Sequence, residues 1–168
     1  PNETVLNFVR SNLKKTGTKE GCAEGGCGAC TIVLGELKNN KILYKSINSC
    51  ITFVPVLNGK QLILIENLTS ESGKLHSVQN AMVDYHGSQC GFCTPGFVMS
   101  MFAMFKNNKS INNELINDSL SGNLCRCTGY RPIIDAAKSL NNLSRYDHFD
   151  KDKFITLSLL KKITKKKY

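Results

Sequence analysis

The chain has 168 residues, 41% hydrophobic and 21% charged, with a net charge of +9. Ordinary apolar content excludes a disordered chain, and no apolar run approaches the ~20 residues of a membrane-spanning helix. Five lysines crowd into the last eight residues, but no basic and aromatic surface accompanies them, so the tail reads as compositional bias and nucleic-acid binding is not expected.

The length suits one medium domain or two small ones. Residues 1–14 read as a helix that Asn2 or Thr4 caps, with Val5, Phe8, Val9 and Leu13 on its apolar face. A glycine-rich cysteine loop follows. A short β-branched run at 31–34 ends at Gly35, Asn39-Asn40 forms a turn, and 42–44 returns as a strand. A further apolar run at 62–65 follows a turn at Asn58-Gly59. Residues 1–70 thus form a small α+β unit.

The polar segment 69–74 marks a boundary, beyond which the period becomes helical. Val78, Ala81, Met82 and Tyr85 share one face. Thr94 caps a helix with Pro95 at its first position, running to about Lys106. That helix is apolar almost all round, which makes it the buried centre of a bundle. Ser110 caps the next helix and Gly122 ends it. Pro132 opens the last, with Ile133, Ile134, Ala137 and Leu140 inside. An all-α unit of four helices over 74–143 is expected. Residues 144–168, polar apart from Phe154, Ile155 and 157–160, read as a linker.

The chemistry lies in eight cysteines that fall as two sets of four. Cys22, Cys27, Cys30 and Cys50 have the C-x4-C-x2-C…C spacing of plant-type [2Fe–2S] sites. Gly21, Gly25, Gly26 and Gly28 let the loop bring backbone N–H groups to the sulfurs. Zinc is the alternative metal, but it favours short paired knuckles. Cys90, Cys93, Cys125 and Cys127 form a C-x2-C and a C-x-C, a spacing that serves zinc or a cluster. These two quartets define either a two-cluster electron carrier or a zinc-stabilised interaction module.

Thiols this close in sequence pair poorly as disulfides and converge well on a metal. No secretory signal is visible, and a cytoplasmic location is expected. His76, His86 and His148 are scattered and read as structural or solvated. Arg126 and Arg131 flank the second quartet, either to steady its charge or as surface residues. There is no phosphate loop, no nucleophile–base pair and no substrate site of the chain's own.

The stretches 87–96 (GSQCGFCTPG) and 122–133 (GNLCRCTGYRPI), with 18–22 (TKEGC) at the first site, resemble the molybdenum hydroxylase (xanthine oxidase) family. The similarity runs to about Leu140. Within the family, 35–37, 75–82 and 97–101 are most similar to the small subunit of bacterial xanthine dehydrogenases.

The resemblance implies a β-grasp ferredoxin domain followed by a four-helix domain. Each would hold a [2Fe–2S] cluster on its quartet. Electrons would pass from a molybdenum–pterin centre on a large molybdopterin-binding partner subunit to the helical domain's cluster, then to the other, then to FAD and NAD. The reaction would be the oxidation of hypoxanthine and xanthine. Another molybdenum hydroxylase, acting on an aldehyde, carbon monoxide or an N-heterocycle, is the second possibility. Gln89 and Cys127 match positions that lie against the pterin. The resemblance also places the family's opening strands before Pro1 and an FAD domain after Tyr168.

Overall fold

The computed structural model describes residues 2–165; Pro1 and the last three residues of the lysine-rich tail lie outside them. The first helix is shorter than the periodicity implies. Thr4 caps α1 (Val5–Asn7), its hydroxyl accepting from the Asn7 N–H at 3.2 Å. The helix widens into a π-helical turn over Phe8–Asn12. Leu13, expected on the apolar face, is exposed.

Strands β1 (Thr31–Lys38), β2 (Lys41–Asn48) and β3 (Gln61–Ile63) form an antiparallel sheet in the order β2-β1-β3. Asn39 and Asn40 both take positive φ, 49° and 58°. That is the two-residue turn whose twist matches a hairpin. β1 does not end at Gly35 as expected. Pairing with Tyr44 on one side and Gln61 on the other carries it through to Lys38. Residues 31–35 of β1 are buried on both faces. On one face Ile32 packs with Val5 and Val9 of the first helix, and on the other Val33 joins the helical core.

Four helices follow: α2 (Ser77–Asp84), α3 (Thr94–Asn107), α4 (Asn113–Leu120) and α5 (Arg131–Ser139). α3 is the buried centre, with every residue from 96 to 105 buried. Two caps sit elsewhere than expected. Cys93, not Thr94, occupies the position before α3, which puts Pro95 one place further in. Asn112, not Ser110, caps α4, because its Oδ1 accepts from the Leu115 N–H at 2.8 Å. α4 also stops at Leu120, two residues before Gly122. Tyr85 closes α2 and is exposed, so it is not on the packed face.

The sheet and the helices share one buried core. It runs from Val33, Tyr44 and Ile63 to Phe97, Phe102, Ile116 and Ile133. Each such side chain contributes about 1.5–3 kcal/mol by leaving water. Asn107 at the end of α3 seals the junction. Its amide accepts from the Tyr44 N–H at 3.1 Å and donates to the Tyr44 carbonyl at 2.5 Å, which occupies backbone groups on an edge strand.

The segment from 144, read as a linker, is largely helical. α6 (His148–Lys151) and α7 (Lys153–Lys165) follow each other, and Leu160 is buried as α7 lies against β1. Among the described residues no helix is long and apolar enough to cross a membrane.

Candidate metal centres

The hairpin register builds half of the first site. Thr31 pairs with Asn48, so Cys30 and Ser49 face each other just beyond the ladder. The Ser49 hydroxyl donates to the Cys30 carbonyl at 2.7 Å. Cys50, one residue on, brings its sulfur to 3.3 Å from that of Cys30, and both pack with Leu6 in a small buried cluster. Cys22 and Cys27 lie in the loop ahead of β1. The Gly26 N–H donates to the Cys22 sulfur at 3.3 Å, and the Cys22 N–H to the Cys27 sulfur at 3.4 Å. Gly25 and Gly28 take φ of 82° and 71°, turns that other residues adopt with strain. Asn48 Nδ2 donates to the Gly25 carbonyl at 2.7 Å and steadies the loop; no motif had drawn attention to it.

At the second site Cys90 and Cys93 flank Gly91, whose φ is 81°, immediately before α3. Cys125 and Cys127 come from the loop between α4 and α5. The Cys127 and Cys90 sulfurs are 3.5 Å apart and exposed. The Cys125 sulfur is 3.1 Å from the Thr128 hydroxyl, and its N–H donates to the Tyr130 phenol oxygen at 3.0 Å. All eight thiols are free.

The sulfur geometry bears on which metal fits. Two thiolates on one tetrahedral metal, at about 2.3 Å each, lie roughly 3.8 Å apart. The 3.3 Å and 3.5 Å pairs are close to that and far from a disulfide bond. Among the described residues no three His, Cys, Asp or Glu side chains converge on a single ion. Zinc in a four-thiolate site needs all four on one centre, whereas a [2Fe–2S] cluster takes four thiolates over two irons. One sulfur pair in each quartet thus has about the separation of two thiolates on one metal, which suits a two-iron group that spreads four thiolates over two irons.

The thiols of each site are tuned unequally. Hydrogen bonds from the Glu24 backbone and then from Cys27 lower Cys22 to about 7. Burial, reinforced by Cys30, pushes Cys50 up to about 11. Burial and the neighbouring Cys125 push Cys93 up to about 12. For Cys125 itself burial acts upward, but the Thr128 hydroxyl and backbone N–H groups outweigh it and the thiol is lowered. The Phe92 N–H lowers Cys90, and the hydrogen bond to Cys90 raises Cys127. Each site thus joins a sulfur ready to ionise with one that holds its proton until a cation replaces it.

The remaining candidates fall outside both sites. His76 caps α2 through Nδ1 and meets Asp147 through Nε2 at 2.8 Å. His148 meets the Asn67 carbonyl at 3.0 Å, and His86 is exposed at φ 53°. Arg131 pairs with Asp135 at 3.1 Å in the open, and Arg126 is exposed. Gln89 is exposed beside Cys90, whose sulfur faces that of Cys127.

The sequence shows two separate quartets, yet the two loops touch. The Leu124 N–H donates to the Cys27 carbonyl at 2.9 Å. A Cβ on Gly21 would stand 3.6 Å from the Phe92 ring, between Cys90 and Cys93. Asn123, which no sequence signal marks for a role, sits buried at the junction.

The comparisons agree with this geometry. Residues 1–55 match the 2Fe-2S iron-sulfur cluster binding domain, and 64–138 match the [2Fe-2S] binding domain. Xanthine dehydrogenase of Blastobotrys adeninivorans is 48% identical over 144 residues, 84% of this chain and 10% of that protein. Aldehyde oxidase 1 of Oryctolagus cuniculus is 45% identical over 83% of this chain and 11% of its own length. The chain thus spans about a tenth of those relatives. A chain of quinoline 2-oxidoreductase from Pseudomonas putida 86 superposes with a TM-score of 0.71 at 32% identity, over 84% of this chain and 86% of that one. With a relative matched along most of its own length and both cluster-binding domains present, the chain belongs to the molybdenum hydroxylase (xanthine oxidase) family, as an iron–sulfur component of that group of oxidoreductases.

Proposed function

We propose that this chain is the electron-transfer part of a xanthine dehydrogenase. In this reading it relays electrons from a molybdenum–pterin centre on a large partner subunit, through two [2Fe–2S] clusters, to FAD and NAD. The reaction served is the oxidation of hypoxanthine and xanthine. Residues 1–70 are a β-grasp ferredoxin-type domain, 74–143 the helical cluster domain, and the residues from 144 lead towards an FAD domain. A cytoplasmic location belongs to the same reading, because cysteines committed to metal suit a reducing compartment.

The observation that carries the proposal is the close sulfur pair in each quartet, 3.3 Å at the first site and 3.5 Å at the second, in loops that touch each other. When bound, a [2Fe–2S] cluster takes up and gives back one electron. The chain's own residues do the rest. Cys22, Cys27, Cys30 and Cys50 hold the cluster distant from molybdenum; Cys90, Cys93, Cys125 and Cys127 hold the proximal one. The Gly26 N–H, already on the Cys22 sulfur, steadies thiolate charge. Burial of Cys30, Cys50 and Cys125 keeps water from one side of each site. Gln89, next to Cys90 whose sulfur meets that of Cys127, and Cys127 itself are both exposed and would face the pterin of the partner.

A second reading is supported by the aldehyde oxidase relative at 45% identity and by aldehyde oxidoreductase from Desulfovibrio gigas, a solved structure with TM-score 0.71 at 30% identity, over 94% of this chain and 16% of that one. In that reading the same relay serves an aldehyde. Two measurements test the proposal. Metal analysis should find about four irons, with sulfide, per chain; bound zinc without sulfide would end the relay reading in either form. The full enzyme should then reduce NAD with xanthine and not with an aldehyde; the reverse preference replaces the first reading by the second.

A further inference from the structure

We infer that Asn123 is a positioning residue that sets the spacing between the two cluster sites, an inference that rests on the two-cluster reading above. Its side chain is buried, 4% exposed, at the junction of three elements. Nδ2 donates to the Gly28 carbonyl at 3.1 Å and to the Thr31 hydroxyl at 3.2 Å. Oδ1 accepts from the Ser100 hydroxyl at 2.7 Å. Both amide hydrogens are thereby used on the first unit, and the oxygen is used on α3.

The backbone on either side completes the joint. Leu124, next in sequence, donates its N–H to the Cys27 carbonyl at 2.9 Å. Successive carbonyls of the first loop, at Cys27 and Gly28, are therefore taken by successive residues of the second, Leu124 and Asn123. Cys27 is a ligand of one site, and Leu124 is one peptide away from Cys125, a ligand of the other. The Leu124–Cys27 hydrogen bond thus joins a ligand of one site to the residue next to a ligand of the other.

Glycines make the approach this close. A Cβ on Gly28 would collide with the Gly122 carbonyl oxygen, and one on Gly96 with the Gly28 carbonyl oxygen. Backbone meeting backbone leaves polar groups without access to water, and an unpartnered one costs about 1–3 kcal/mol. Thr31 satisfies the Gly28 carbonyl locally, through its N–H at 3.1 Å and its hydroxyl at 2.7 Å. The Asn123 amide therefore adds what Thr31 cannot, a tie across the joint. Take its donors away and the first loop keeps its own turn but loses its register against the second. Magnetic and electronic coupling between two centres falls steeply as they separate, so a loosened joint weakens coupling without removing a ligand.

The test uses the full holoenzyme and two variants. Asn123→Asp keeps the shape and the acceptor towards Ser100 but presents an ionised oxygen in place of the donor. Ser100→Ala removes the hydroxyl that orients the carboxamide. Iron and sulfide are measured first, then the spin–spin splitting of the two reduced clusters by electron paramagnetic resonance. The expected result is wild-type iron content with loss of the splitting in Asn123→Asp and a smaller reduction in Ser100→Ala. Wild-type splitting in both variants at full iron content overturns the role of Asn123 and leaves the two-cluster reading intact. Should Asn123→Asp fail to retain iron, Ser100→Ala decides, since unchanged splitting there overturns the role equally. A wild-type enzyme without iron and sulfide removes the underlying reading and this inference together.

Discussion

Lys106 on α3 holds Asp147, just ahead of α6, with its ammonium 3.1 Å from Oδ1 and 3.0 Å from Oδ2. The two side chains are only 5% and 12% exposed. His76 adds a contact to Oδ2 at 2.8 Å, and Asp150 also meets the lysine. The carboxylate thereby clasps the segment from 144 onward to α2 and α3.

The first prediction is that this clasp makes stability acid-sensitive. Burial alone would raise the Asp147 carboxyl, but the His76 hydrogen bond and the Lys106 charge hold it well below its usual range. A carboxyl lowered in the folded state stabilises fully above its unfolded value of about 3.9. The contribution is lost as pH falls from there through the folded value. Asp147→Asn keeps an acceptor for the Asp150 N–H but removes the charge. It should cost about 3 kcal/mol at neutral pH, the low end for breaking a buried pair, because Asp150 remains beside the lysine. Thermal unfolding from pH 7 into acid should fall more steeply for the wild type than for the variant. Parallel curves would rule out the clasp as the cause.

The second prediction concerns cluster removal. Ligands that bind the folded state alone stabilise it, by about 4 kcal/mol at a thousand times the dissociation constant. Cys30 and Cys50 pack with Leu6 apart from the main core, so the first unit leans on whatever joins its thiols. Holo protein should unfold at a higher temperature than apo protein; equal midpoints would count against it. Burial first, then neighbouring sulfurs, raise Cys50 to about 11 and Cys93 to about 12. Both carry protons at neutral pH in the apo form, so loading releases protons and weakens as pH falls. Reconstitution that proceeds equally well at lower pH would contradict this.

Much of the fold is legible in the sequence because its signals are local. The cysteine spacing, the Asn39-Asn40 turn and the apolar run 96–105 each declare themselves within a few residues. What escaped depends on distant partners. β1 passes through Gly35 because Tyr44 and Gln61 pair with it from either side. Leu160 is buried only because α7 meets β1, so lysine-rich surroundings made the segment look like a linker. Asn123 lies within the stretch 122–133, but nothing in that stretch assigns its amide a partner, because Gly28 and Ser100 meet it only in the fold.

The third prediction tests the glycine contact at the joint. Alanine within a helix gains about 1 kcal/mol over glycine where nothing obstructs it. At Gly96, on the first turn of α3, the new methyl would strike the Gly28 carbonyl oxygen, and that backbone cannot retreat without disturbing the Leu124–Cys27 hydrogen bond. Overpacking costs about 1–3 kcal/mol, and a clash against a backbone oxygen puts this case towards the upper end, above the gain. Gly96→Ala should lower the thermal midpoint. Gly122→Ala, where a Cβ meets nothing within 4 Å, should stay within about 0.5 kcal/mol of wild type. A Gly96→Ala protein as stable as wild type would mean that the joint is looser than the structure has it.

The last prediction concerns the order of the path. Cys90, Cys127 and Gln89 are exposed, with Cys93 half-buried and Cys125 buried, while at the first site Cys22 and Cys27 are half-buried and Cys30 and Cys50 buried. In the proposed relay, Gln89 and Cys127 match positions that lie against the pterin in the family they resemble, so the helical domain's cluster should receive electrons first. In a reconstituted enzyme Cys50→Ser should damage the distant cluster only. Xanthine would still reduce the molybdenum centre and the near cluster, while NAD reduction slows greatly. Cys93→Ser should instead cut the path at its first step. Xanthine would then fail to reduce the distant cluster, although NADH working backwards through FAD would still reach it. If NADH reached the distant cluster only in Cys50→Ser, the assigned order would be reversed.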